Sequence, residues 1–249
     1  MPRHRSDHAE PWPAGPMVPR PFPLEQEWSD AVLLHWRIPR GAAAARLPPG
    51  VEPDVVDGSA WVGLIGFRMS WTRLAAAVPL PWLGRFPEVN VRLYSRGRDG
   101  SRGVVFLSMD APRLPAVLAA RAMGVPYVWS RCRPFAAGHL APAHGYEVER
   151  RGRQAASSFA VRPELTTQAD DDVSLDLAAR FGMHTRFAGR TVFLPVSHRP
   201  WPLHPAELLH LEDGLLAAAG LEVPGPPESV LFSPGVRAVF GRPRVVRER

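Results

Sequence analysis

The sequence predicts an α+β fold resting on a mostly antiparallel sheet. Roughly nine short stretches carry strand-like apolar patterns and three or four carry helical signals, with Gly, Pro or Asp-Gly turns between them. No internal repeat divides the 249 residues, and the length suits one large β domain.

Residues 1–24, rich in Pro, Arg and His and without periodicity, read as a flexible arm ahead of a single domain over 25–249. AVLLHWRI (31–38) is a strand. GAAAARLPPG (41–50) is a short helix stopped by Pro48, Pro49 and Gly50. VEPDVV and AWVGLIGFRMSW flank the Asp57-Gly58 turn and read as a hairpin. FPEVNVRLY and GVVFLSMD (103–110) form a second strand pair across GRDGSRG. RLPAVLAARAMG (113–124) is helical and ends at Gly124 and Pro126. YVWSRC, YEVERR and QAASSFAVR give three further strands. VSLDLAARF (173–181) is a helix with Asp170, Asp171 or Asp172 near its start, where a carboxylate meets exposed N–H groups. RTVFLPVSH (190–198) is a strand, PAELLHLEDGLLAAAG (205–220) the clearest helix, and SVLFSPGVRAVF (229–240) a bent strand or hairpin.

Composition excludes several chemistries. All 30 basic Lys/Arg positions are Arg. Without lysine there is no Walker A loop, no lysine imine, no lysine-anchored pyridoxal phosphate and no Ser-x-x-Lys nucleophile. No Gly-x-Ser-x-Gly elbow or Gly-x-Gly-x-x-Gly fingerprint is present, and no cofactor is expected. The net charge of +6 comes from scattered arginines, which argues against nucleic-acid binding. A lone Cys132 precludes an intramolecular disulfide; its strand context suggests a buried inert thiol, although two flanking arginines would favour thiolate. Neither a secretory h-region nor a membrane-length apolar run is visible, so a soluble cytoplasmic protein without membrane contact is expected. Homo-oligomer formation stays open.

In the stretch 86–94, Val89, Val91 and Leu93 share one parity; Glu88, Asn90, Arg92 and Tyr94 share the other. The polar row is either a wet outer face or the lining of a cavity. As a lining, Glu88 would serve as acid or base and Arg92 as a carboxylate fork, with Asn90 bridging between them. His35 is a second proton carrier, or a histidine satisfied by backbone beside Trp36. Arg68 is a further ligand-binding candidate whose default role is a salt bridge at the strand's end. His198, His204 and His210, with Glu207 three residues before His210, lack the spacing of known zinc sites and the second Glu-x-x-His pair of di-iron bundles, so no metal is expected.

HWRIPRGAAAARLPPGVEPDVVDGSAWVGLIGFRM, FPEVNVRLY, HRPWPLHPAEL and LFSPGV resemble the YqjF-like bacterial proteins, a domain of unknown function. The resemblance spans about residues 31–240. Where that family usually carries Glu-Arg-Tyr, this chain has Ala179-Arg180-Phe181, so roles of that Glu and Tyr do not transfer. The resemblance implies an acetoacetate decarboxylase-like antiparallel β-barrel with a few short flanking helices and a central cavity. Its strands would carry apolar residues outward under those helices. The decarboxylases present their imine-forming lysine in a Gly-Phe-Pro-Lys segment; the similar segment here is Gly124-Val125-Pro126-Tyr127, and a phenol forms no imine. Glu88 resembles a glutamate near their substrate. The expected function is binding of a small organic acid or carbonyl compound, with lysine-independent acid/base chemistry by Glu88, Tyr127 and His35. The alternative is a non-catalytic ligand-sensing or structural barrel.

Overall fold

Long apolar alternations organise the chain into fourteen strands and four α-helices among the residues described by this computed structural model, which are 15–74, 78–80, 82–136, 138–140, 142–152 and 155–246. The first seven strands are β1 (Leu24–Ile38), β2 (Val51–Pro53), β3 (Ala60–Leu74), β4 (Val78–Pro79), β5 (Phe86–Gly97), β6 (Arg102–Ala111) and β7 (Tyr127–Pro134). The remaining seven are β8 (His144–Arg150), β9 (Ala156–Pro163), β10 (Gly182–Phe187), β11 (Arg190–His198), β12 (His204–Asp213), β13 (Ser229–Phe240) and β14 (Arg244–Val245). The helices are α1 (Arg40–Ala44), α2 (Leu114–Ala122), α3 (Asp172–Ala178) and α4 (Leu215–Ala218). Asp171 caps α3 by accepting from the Ser174 N–H, as the carboxylate cluster predicts.

Five strands in the order β6–β5–β3–β1–β13, each antiparallel to the next, make a common wall. At its edges the sheet forks. The end of β6 pairs in parallel with β7, setting Met109 beside Tyr127, and β7–β8–β9–β12 return to β13 where His204 meets Phe232. That circuit closes a nine-strand barrel. On the opposite face, Val104 of β6 pairs in parallel with Met183 of β10, and β10–β11 reach β13 at Phe240. This second ring has seven strands. The barrel is therefore mixed rather than mostly antiparallel: α2 carries the chain back across the sheet, so β7 must run parallel to β6.

Side-chain alternation assigns the two faces of the wall. Val32, Leu34, Val62, Leu64, Val89, Val91 and Leu93 pack inside the nine-strand barrel against Tyr146, Phe159 and Val161, with α4 plugging it through Leu215 and Leu216. Each fully buried aliphatic side chain here contributes about 1.5–3 kcal/mol. The apolar parity of β5 thus meets a second sheet, rather than pointing outward under helices as expected. On the other face, Leu33, Ile65, Phe67 and Phe86 meet Val117 of α2 and Ala178 of α3, while Tyr94 and Val104 meet Leu177 and Met183.

Three local expectations fail. Residues 205–220 are not one helix: the first part is β12, bulged between Leu208 and His210 and paired with β9, and only Leu215–Ala218 is helical. The helix formers Ala, Glu and Leu lose to the open edge of β9, whose hydrogen-bonding groups need a partner. β2 pairs with β5 rather than forming a hairpin with β3; only a Val56–Ser59 bridge closes the Asp57-Gly58 turn. β10 has no counterpart among the expected elements. Most of the expected arm, residues 1–14, lies outside the described residues. Directly after it, Gly15 donates its N–H to the His198 carbonyl.

Candidate functional site

Glu88 and Asn90 project from β5 into the space under α2 and α3, and both are buried, Glu88 completely. The polar row is not a wet outer face. Tyr127, at the start of β7, donates its O–H to Glu88 Oε2 at 2.6 Å. That contact follows from the parallel register of β6 and β7, which places Tyr127 beside Met109, itself opposite Asn90. The Asn90 side chain lies close enough to favour the charged form of Glu88. Glu88 Oε1 and Asn90 Oδ1 find no hydrogen-bond partner in the protein. Burial, reinforced by the Asp110 charge, raises the Glu88 carboxyl to about 7 despite the bonds from Tyr127 and Asn90. Burial and the neighbouring carboxylate also push the Tyr127 phenol well above its ordinary value, so it remains a donor.

Further along the same face, Arg92 is partly buried and donates from Nε to Tyr94 Oη at 3.3 Å. His35 projects from β1 opposite Gly63, where an added Cβ would lie 3.0 Å from Tyr94 Oη and 3.2 Å from the His35 ring; the glycine makes room for both. His35 Nδ1 lies 3.3 Å from Ser229 Oγ, and its Nε2 has no partner in the protein. Burial, with the charges of Arg92 and Arg180, holds His35 well below the usual imidazole range. These surroundings favour the neutral imidazole, which serves on this face as a hydrogen-bonding group.

Arg68 does not join the group. It stands on the opposite parity of β3, half-exposed, with an ion pair to Asp30 at 3.5 Å. His198, His204 and His210 take separate partners: His198 lies beside the Arg199 carbonyl at 2.7 Å, His204 beside the Thr167 carbonyl at 2.8 Å and His210 beside Ser158 Oγ at 2.6 Å. The bulge between Leu208 and His210 leaves Glu207 and His210 on one face of β12, but each has its own partner there, Glu207 pairing with Arg162 at 2.7 Å. Burial together with the Asp110 and Glu88 charges pushes the Cys132 thiol up, and its flanking Arg131 and Arg133 are engaged by Glu149 and Glu147, so they do not activate it.

Sequence reasoning missed Arg180. The three residues Ala179-Arg180-Phe181 follow α3 and turn inward, and the Arg180 side chain is only 2 % exposed. Its Nη1 pairs with Asp54, its Nε donates to the Asp176 carbonyl at 2.6 Å, its guanidinium lies 5.0 Å from the Tyr94 ring centre, and its Nη2 has no partner. A hollow of about 1090 Å³ opens nearby, lined in part by His198, Trp201, Leu203, Leu175 and Asp170. His198 connects the two regions, since its Nε2 lies 3.4 Å from the Arg180 carbonyl oxygen and its ring feels the Arg92 charge.

The sequence matches the family of uncharacterized conserved proteins designated DUF2071 over residues 25–237. The chain belongs to that family. It is 28% identical over 205 residues to the uncharacterized protein YqjF of Bacillus subtilis (strain 168), covering 81% of this chain and 83% of that one. Among solved structures, the enduracididine biosynthesis enzyme MppR complexed with pyruvate is similar in fold, with a TM-score of 0.63 at 18% identity and 91% of each chain covered. Acetoacetate decarboxylase from Legionella pneumophila superposes with a TM-score of 0.61 at 16% identity, over 99% of this chain and 92% of that one. The DUF2071 chain therefore has an acetoacetate decarboxylase-like fold. No helix among the described residues is long and apolar enough to cross a membrane.

Proposed function

We propose that this protein binds a small organic acid or carbonyl compound in the seven-strand ring and moves a proton next to its carbonyl without forming an imine. The observation that carries the reading is Glu88, a fully buried carboxyl whose Oε2 is held by Tyr127 and whose Oε1 is left open. Native proteins pair buried polar atoms, so an orphaned oxygen there calls for a ligand donor. A carboxyl titrating at about 7 is suited to both accepting and returning a proton near neutral pH. Glu88 Oε1 takes the proton from the carbon beside the carbonyl. Tyr127 turns its O–H from Glu88 to the substrate oxygen, where negative charge develops. Asn90 holds the carboxyl, and Arg92 holds the ligand carboxylate at the far end of the row. Four residues of strand separate Glu88 from Arg92, about 13 Å between backbones, which the two side chains shorten to the length of a small molecule. The lone cysteine suits a cytoplasmic setting.

The structures of MppR with pyruvate and of the decarboxylases support a scaffold that accommodates small oxo compounds, at identities that speak for the fold alone. The test is solvent exchange of the methyl protons of pyruvate in deuterated buffer, followed by proton NMR. We expect catalysed exchange, reduced by about 10²–10⁴-fold in Glu88→Gln and by a smaller factor in Tyr127→Phe. Pyruvate binding with no exchange would instead favour a sensor, a reading to which the complete enclosure of Glu88 and His35 lends weight.

A further inference from the structure

Arg180 and Arg92 project toward Tyr94 from different parts of the fold, one from the stretch after α3 and the other from β5. Their guanidinium carbons lie 5.0 and 5.5 Å from the Tyr94 ring centre. His35 approaches the same tyrosine, with ring centres 5.8 Å apart. Two like charges and an imidazole therefore converge on one buried ring. The carboxylates nearby do not balance them. Asp54 takes Arg180 Nη1 and the Nε of Arg102, whereas no carboxylate lies within ion-pair distance of Arg92 among the described residues. Arg180 Nη2 and His35 Nε2 are both fully enclosed and unpartnered. If Ser229 donates to Nδ1, the hydrogen of neutral His35 sits on Nε2, so both orphans at this end are donors. The orphans at the Glu88 end, Glu88 Oε1 and Asn90 Oδ1, are both acceptors. With that tautomer, the interior is polarised, accepting at the Glu88 end and donating at the Arg180 end.

We propose that Arg180, Arg92 and His35 form an anion subsite that fixes the carboxylate of the ligand, and that Arg180 is the residue selecting a carboxylate over a neutral carbonyl compound. The proposal rests on the reading of this ring as a ligand site. It adds a residue outside the polar row and a commitment to ligand charge. Desolvated guanidinium groups bind carboxylates through charge-assisted bonds of fixed planar geometry, and Asp54 holds Arg180 in place on its other edge. The acceptor end then takes a hydroxyl or enol O–H, so the complementary class is a small hydroxy acid or the enol of an oxo acid.

The test is an NMR titration of the purified protein with ¹³C-labelled acetate, with acetamide as the uncharged control. Saturable acetate binding is expected in the wild type and in Arg68→Gln, an arginine on the opposite face. Arg180→Gln and Arg92→Gln are each expected to weaken it at least tenfold, and acetamide is expected not to compete. If Arg180→Gln does not fold, Arg180→Lys is read instead: its ammonium can keep Asp54 company but lacks the second donor, and the same loss is expected. Wild-type affinity in a folded Arg180 variant, equal binding of acetamide, or no saturable acetate binding overturns the subsite. Loss of pyruvate exchange in Glu88→Gln alongside undiminished acetate binding in Arg180→Gln would overturn the subsite and leave the Glu88 reading standing. The reverse pattern would do the opposite.

Discussion

The two faces of the common wall bury polar groups in opposite ways. Inside the nine-strand barrel, Asp110 accepts from Ser130 at 2.6 Å and from Nε and Nη2 of Arg150, each at 2.8 Å, and Arg150 also donates to Ser108 at 2.6 Å. No fully buried side-chain N or O of this quartet is without a partner. Inside the seven-strand ring, Glu88, Asn90, His35 and Arg180 each leave one buried atom unmatched. The same five strands carry both sets. A complete network ties β6, β7 and β8 together; the incomplete one leaves buried polar atoms unmatched, the observation on which the proposed ligand site rests.

Breaking the complete side is expected to have the largest effect on stability. Arg150→Met leaves Asp110 charged, buried and unpaired, which costs about 3–5 kcal/mol in urea unfolding at pH 7. A cost under about 1 kcal/mol would mean that the pair is not holding the barrel together. On the incomplete side, Glu88→Gln should act in the other direction. Glu88 titrates at about 7 in the folded chain against 4.5 for an ordinary glutamate, so between those values the folded state holds more protons and stability falls as pH rises. Above pH 7 the wild type bears a penalty of up to about 3 kcal/mol that the glutamine lacks. The E88Q chain should therefore be the more stable of the two at pH 8.5, with the advantage fading toward pH 4; denaturant melts at both pH values check it. A pH-independent difference would remove the buried carboxylate from the account. The smallest effect is expected outside both faces: Glu207→Ala breaks only an exposed pair with Arg162 and should change stability by less than about 1 kcal/mol in the same melts.

How much of this was legible in the sequence follows from what each feature depends on. The β5 alternation is local, so Glu88, Asn90 and Arg92 could be placed on one face from residues 86–94 alone. The family resemblance supplied the barrel and pointed to Tyr127, and the parallel register of β6 and β7 accounts for its contact with Glu88. β12 was misread because its run of Glu and Leu has strong helix propensity, and the decisive factor, the open edge of β9, lies some 50 residues earlier. Arg180 was invisible as a site residue for the same reason. Its partner Asp54 is 126 positions away, and the stretch after α3 carries no periodicity to show which way it turns. The available signal was the resemblance drawn from the sequence, which sets Ala179-Arg180-Phe181 against a Glu-Arg-Tyr tripeptide and so shares only its arginine. Arg68 makes the salt bridge that was its default role, with Asp30, while strand parity puts it across the wall from Glu88 and so apart from the ligand-binding row it was also a candidate for.

The most direct test is the titration of the Glu88 side-chain carboxyl by ¹³C NMR. The buried, ligand-facing glutamate described here predicts a midpoint near 7 that shifts when pyruvate is added. A midpoint in the ordinary carboxylate range, indifferent to pyruvate, would contradict it.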